Sequence, residues 1–186
     1  MIHFFKCFLA NPGTIGAIAP SSSALAKAMT RPIDGAAAVF EIGAGTGAIT
    51  CHIPMGKTGV PLVLFEQDHH LAVRLKDRFG DALVIEGFFH DTINHLGDLP
   101  DNLIILSSIP FKSLSGNLHF STVEAICNIL RSSPNRRLIQ YTYFNHVPFV
   151  PHHSNLRWHR LTKVWANLPP ATVWELRVDT SHRLDG

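Results

Sequence analysis

Residues 41–50 read Glu-Ile-Gly-Ala-Gly-Thr-Gly-Ala-Ile-Thr, with glycines at the alternate positions 43, 45 and 47. Glycine adopts backbone conformations closed to other residues and lets a ligand approach the main chain closely. The apolar run 36–40 before it reads as a buried strand. The glycines therefore mark a bend at the carboxyl end of a strand, where open α/β sheets bind ligands. The spacing is Gly-x-Gly-x-Gly, one residue tighter than the dinucleotide fingerprint. A second apolar run, 61–65, is closed by Glu66, 19 residues after Gly47. A carboxylate there accepts hydrogen bonds from the diol of a ribose. Gly43, Gly45, Gly47 and Glu66 are thus candidates for holding an adenosyl ligand. Glycines needed only for packing are the alternative.

Further chemistry lies at other element ends. Ser107-Ser108-Ile109-Pro110-Phe111 follows the aliphatic run 103–106, a composition suited to a parallel strand buried on both faces. Gly87 and Phe88 follow a strand at 82–85, and Tyr141 and Tyr143 end a strand at 137–143. The tyrosines are expected to alternate faces, so that only one turns to a pocket. Ser21 and Ser22 precede a helix at 24–29, where their hydroxyls serve as caps or face a ligand.

The elements that position these groups follow from periodicity. A helix capped by Asp68 carries Leu71, Val73, Leu75 and Phe79. A short helix after Thr50 is cut by Pro54 and Gly56, and another spans 120–130. Strands alternating with helices give a parallel sheet with right-handed crossovers. The last two strands, 158–166 and 173–178, turn through Asn167-Leu168-Pro169-Pro170 with no helix between them, and so pair as an antiparallel hairpin.

With 186 residues, 46% apolar and 16% charged, the chain suits one domain with a large core. A net charge of +2 does not mark a strong electrostatic binder of nucleic acid. The positive mean hydropathy fits either contact with lipid or a large core. Cys7, Cys51 and Cys127 have no metal or redox spacing, and the twelve histidines form no ligand motif, so no metal is expected. No run reaches the roughly 18 apolar residues of a membrane span. Ile2, Phe5 and Leu9, with Phe4 and Phe8, give a short N-terminal helix with an apolar face that lies on a membrane or packs on the domain.

Four segments together resemble the bacterial phospholipid N-methyltransferases. They are Gly16-Ala17-Ile18-Ala19-Pro20-Ser21-Ser22, residues 41–50, Ser107-Ser108-Ile109-Pro110-Phe111, and a tail of Gln140-Tyr141-Thr142-Tyr143 with residues 164–174. The middle two are shared with the ribosomal RNA adenine dimethyltransferases. The resemblance covers residues 10–178 and implies a Rossmann-like class I methyltransferase: an α/β fold with a mostly parallel seven-stranded sheet, an antiparallel last hairpin and helices on both faces. It implies an N-terminal helical arm at 1–36, acting as membrane contact and cofactor lid, and a catalytic domain at 37–180.

The resemblance also implies the cofactor, S-adenosylmethionine, held by Ser21, Ser22, Glu41, Gly43, Gly45, Gly47, Glu66, Gln67, Gly87, Phe88 and Ser107. Ser108, Tyr141 and Tyr143 would be catalytic, and Ile109, Pro110 and Phe111 would contact substrate. Backbone carbonyls around Ile109 and Pro110 are expected to accept from the amine, and Lys112 or Arg157 to meet the phosphate. Relatives commonly carry an acid where this chain has Phe88, so adenine is expected to be held by stacking and backbone contacts or by Asp91. The substrate implied is the amine of phosphatidylethanolamine, on a cytoplasmic monomer touching the anionic inner membrane face, without nucleic acid. RNA adenine methylation, methylation of a small soluble amine and non-catalytic cofactor binding are the alternatives. Against RNA, those enzymes usually carry a further helical domain after the catalytic one, whereas this chain ends just past its last strand.

Overall fold

The computed structural model describes residues 22–54, 59–143 and 145–180. The segment expected to form an N-terminal helix, Ser21 and Gly56 lie outside them. The elements in order are α1 (Ser23–Thr30), β1 (Ala38–Ile42), β2 (Leu62–Glu66), α2 (His69–Arg78), β3 (Leu83–Glu86), α3 (Phe89–Thr92), β4 (Leu103–Ser107), α4 (Gly116–Arg131), β5 (Arg137–Thr142), β6 (Leu156–Val164) and β7 (Ala171–Val178). The seven strands form one sheet in the order β3-β2-β1-β4-β5-β7-β6. Strands β1 to β5 pair in parallel, and β7 runs antiparallel to both β5 and β6. The sheet and its closing hairpin agree with the expectation from the sequence.

The central strands β1, β2 and β4 are buried along their whole length. Successive side chains point to opposite faces. Val39, Leu64, Ile104 and Leu106 join a core with Leu25, Ala26 and Met29 of α1 and Ala72 and Leu75 of α2. Phe40, Ile42, Phe65, Leu103 and Ile105 join a second core with Val123, Ile126, Cys127 and Leu130 of α4. Helices therefore cover both faces. Within the arm expected at 1–36, Leu25, Ala26 and Met29 are fully buried in the first core.

Local signals explain the element ends. Ser22 caps α1 by accepting from the Leu25 N–H at 3.2 Å, and Asp68 caps α2 by accepting from the Leu71 N–H at 3.0 Å. Two elements depart from expectation. After Thr50 there is only a 3₁₀ turn, Thr50–His52, because glycines before it and Pro54 after it leave no room for a longer helix. After β3 the chain forms α3 and a 3₁₀ turn, Ile93–Leu96, whose Phe89 and Ile93 anchor them in the second core. That stretch is too short for helical periodicity to stand out.

Candidate active site

Strand order reverses at β1, whose neighbours are β2 on one side and β4 on the other. The crevice beyond the carboxyl ends of β1 and β4 is the topological switch point. The glycine bend and the serine loop both leave the sheet there. All three glycines have positive φ: 72° at Gly43, 58° at Gly45 and 78° at Gly47. Their surroundings differ. A Cβ on Gly47 would lie 2.4 Å from the Phe79 ring, so this glycine makes room for α2's C-cap. A Cβ on Gly43 would lie 3.1 Å from Ile109 Cγ1, so the bend abuts the serine loop. A Cβ on Gly45 would meet nothing closer than 3.9 Å. Gly45 is the glycine that leaves its backbone open to a ligand.

Two carboxylates flank the bend. Glu66 ends β2, and its oxygens accept from the Gly45 N–H at 2.8 Å and the Asp68 N–H at 2.9 Å. Each oxygen retains a second lone pair for a diol. Glu41 is fully buried. Its Oε2 accepts from the Thr50 hydroxyl at 2.7 Å, while Oε1 has no hydrogen-bond partner among the described residues. Burial pushes the Glu41 carboxyl up to about 8, the negative Glu66 nearby adds to the rise, and the Thr50 hydrogen bond opposes it. A buried carboxyl lacking a donor is a place for a cationic group to be received.

The serine loop is held from two sides. The Ser108 N–H donates to the Ile42 carbonyl at 3.1 Å, tying the loop to the end of β1. Ser107 is buried, with its hydroxyl accepting from the Ile109 N–H at 3.3 Å. Gln140 of β5 is also buried and donates to the carbonyls of Ile109 and Tyr141, each at 3.1 Å. The Ile109 carbonyl accepts a second bond from the Phe111 N–H, and the Pro110 carbonyl accepts from the Ser113 N–H. The Ile109 carbonyl thus spends both lone pairs on shaping the loop, whereas the Pro110 carbonyl keeps one. Phe111 is 2% exposed and packs on Phe149 at 4.7 Å between ring centroids. The loop's outer surface is therefore Ser108, Ile109 and Pro110.

The two tyrosines share a face. Residues two apart on a strand point the same way, and the rings of Tyr141 and Tyr143 meet at 5.5 Å. The expectation of alternating faces is corrected accordingly. Burial and the neighbouring Tyr141 hydroxyl raise the Tyr143 phenol well above its ordinary range, so it remains a proton donor. Ser22 is committed as a cap, and its N–H donates to the Asn167 side chain at 3.1 Å. Gly87 has φ 138°, and its N–H donates to the Glu66 carbonyl at 2.9 Å. Phe88 is 41% exposed beside it, with its ring 5.7 Å from His90. Gln67 is exposed just past Glu66. Arg157 lies at the start of β6, at the amino edge of the sheet, paired with Asp179 at 2.7 Å. It is remote from the loop, and the expectation of a phosphate contact there is corrected. Lys112 follows the loop and is exposed. Gln140 was not among the sequence candidates, since a glutamine within a strand signals nothing until its tertiary contacts are known.

A separate cleft of about 710 Å³ opens near the amino ends of β1 and β2, lined by Lys27, Arg31, Val39, Ile53 and Leu62 among others. None of the glycine-bend or serine-loop residues lines it.

Solved structures share this architecture. A 23S rRNA methyltransferase, ErmE, matches over 89% of this chain and 71% of its own at a TM-score of 0.58 and 16% identity. The glycopeptide N-methyltransferase MtfA, complexed with S-adenosyl-L-homocysteine, matches over 95% of this chain and 98% of its own at 0.55 and 10%. The fold is that of the methyltransferases. In sequence, the ribosomal RNA small subunit methyltransferase A of Thermotoga petrophila is 34% identical over 86 residues. That match covers 46% of this chain and 32% of the relative. No protein-family model matches the chain.

Proposed function

We propose that this chain is an S-adenosylmethionine-dependent N-methyltransferase whose acceptor is the amine of a phospholipid head group. The observation that carries the reading is the junction of the open glycine bend with the serine loop, where Gly43 abuts Ile109. A cofactor over Gly45 would then lie beside an acceptor held at Ser108. The sequence relationship to a named methyltransferase and the shared fold support the general activity. The first and last of the four resembling segments support the lipid substrate.

The residues fit the cofactor. Glu66 would receive the ribose diol on its remaining lone pairs. Glu41 would receive the ammonium of the methionine moiety on Oε1. Gly45 permits backbone approach, and Phe88 offers a ring face for adenine where an acid is more usual. When bound, the cofactor supplies an electrophilic methyl on a sulfonium. The protein's part is to hold donor and acceptor in line and to exclude water. The Ser108 hydroxyl accepts from the amine and aims its lone pair, once the ammonium has lost its proton to solvent. Each methyl added would take the place of the one proton that the ammonium gives up to solvent beforehand, so that charge and atoms balance. Tyr141 and Tyr143 suit donation to phosphate oxygens better than proton relay, because Tyr143 resists ionisation.

A second reading is methylation of RNA adenine. It is favoured by the name of the Thermotoga petrophila relative and by the Ser-Ile-Pro-Phe loop. Label from the cofactor's methyl, followed into phosphatidylethanolamine vesicles, transcript RNA and free ethanolamine, separates the two. Label in the lipid is expected. Label only in RNA, or only in ethanolamine, overturns the lipid assignment.

A further inference from the structure

The connection between β6 and β7 carries two exposed large apolar groups. Trp165 is 72% exposed and Leu168 73% exposed. Leu161, at the irregular register between Arg160 and Thr162, is 41% exposed. The Lys163 ammonium sits 4.0 Å from the centroid of the Trp165 ring, and Arg160 is exposed on the same strand. Residues 125–174 contain no Asp or Glu. A turn that merely closed a hairpin would need neither an exposed tryptophan nor an exposed leucine beside it.

This turn lies at the same edge as the active site. Ala171 pairs with Val164, and Thr172 and Val173 of β7 pair with Thr142 and Tyr141 at the end of β5. The Asn167 side chain within the turn accepts from the N–H of Ser22, the cap of α1. The turn is thus tied through β7 to the end of β5 that carries Tyr141, and through Ser22 to the cap of α1, which packs in the first core.

We infer that this turn is a docking surface for an anionic phospholipid bilayer. Trp165 and Leu168 enter the interfacial layer, and Lys163 and Arg160 meet the lipid phosphates. The inference rests on the lipid reading proposed above and names the surface that would bring the membrane to the site. Tryptophan favours the interface of a bilayer, where its ring is apolar and its N–H wet. Cations just outside are drawn to anionic head groups within a Debye length. An RNA surface would use the aromatic ring and the cations but has no use for Leu161 and Leu168.

The test uses the full chain without cofactor and vesicles of phosphatidylglycerol, which has no amine to methylate. Trp158 and Trp174 are partly buried with their N–H groups bonded to the Phe149 carbonyl and the Thr142 hydroxyl, so Trp165 dominates the response. Its emission is expected to shift to the blue and to be quenched by lipids brominated high on the acyl chain, with both effects weakened by salt. Trp165→Ala with Leu168→Ala should lower vesicle affinity in sedimentation roughly tenfold or more. The same variant should retain methyl transfer to detergent-dispersed short-chain phosphatidylethanolamine. Co-sedimentation of the native chain without quenching would place the contact elsewhere and overturn the inference, as would absent co-sedimentation. An emission shift with transcript RNA but not with vesicles would overturn it in favour of a nucleic-acid surface. Quenching by vesicles without methylation of any lipid would leave the docking surface standing and remove the lipid-substrate reading.

Discussion

Gly45 and Gly47 belong to one motif but meet different demands. Gly47 faces the Phe79 ring with a positive φ, whereas Gly45 faces open space. Gly47→Ala should therefore destabilise the fold by about 2 kcal/mol, from overpacking and left-handed strain together. Gly45→Ala should cost about 1 kcal/mol from strain alone, and Gly45→Val should abolish cofactor binding. Thermal unfolding read beside cofactor titration separates the two positions. Retained affinity in Gly45→Val would show that the bend is not the site.

Glu41 supplies a pH dependence at the same scale. Its folded value, raised to about 8, exceeds the ordinary 4.5. The stabilisation from holding it protonated is complete below about 4.5 and is lost as pH rises through about 8. The melting temperature of the native chain should fall across that window, and Glu41→Gln should flatten the fall. A cation received by Glu41 stabilises its ionised form, so cofactor binding near pH 7 should release a proton. Calorimetry in buffers of different ionisation enthalpy reads that release.

Among the elements, the serine loop depends on a neighbour that touches no ligand. Gln140 spans from β5 to the Ile109 carbonyl, fixing the backbone that presents Ser108. Gln140→Leu should leave the chain folded and lower kcat on the order of tenfold, since small losses of alignment are costly in a displacement held in line. An unchanged kcat would show that the Phe111 N–H alone suffices to shape the loop. This dependence was invisible in the sequence because it is a contact between β5 and the loop after β4. The bend, Glu66 and the serine loop were legible because each is a local break at the end of an apolar run. The tyrosines required only the strand's twofold period, which puts Tyr141 and Tyr143 together. Arg157 was misplaced because its position depends on the direction of β6, which enters the sheet at the edge opposite the site.

At the scale of the molecule, the alternation of buried strands and amphipathic helices specified the sheet and its antiparallel end. Apolar periodicity is a strong signal when strands are buried on both faces. The short 3₁₀ turn after the bend and α3 escaped because neither is long enough to show a period. The charge distribution is equally a property of the whole. Acidic groups cluster in the first two thirds of the chain, and a stretch without any acid ends at the site's edge. That asymmetry is consistent with a face turned toward an anionic partner.

The central claim is that an adenosyl cofactor crosses the bend at Gly45 with its ribose on Glu66. Titration of the native chain and of Glu66→Ala with S-adenosylhomocysteine by calorimetry tests it most directly. The account predicts one site per chain in the native protein and affinity lowered at least tenfold in the variant, from the lost charge-assisted hydrogen bonds. No heat with the native chain, or equal affinity in both, would contradict it.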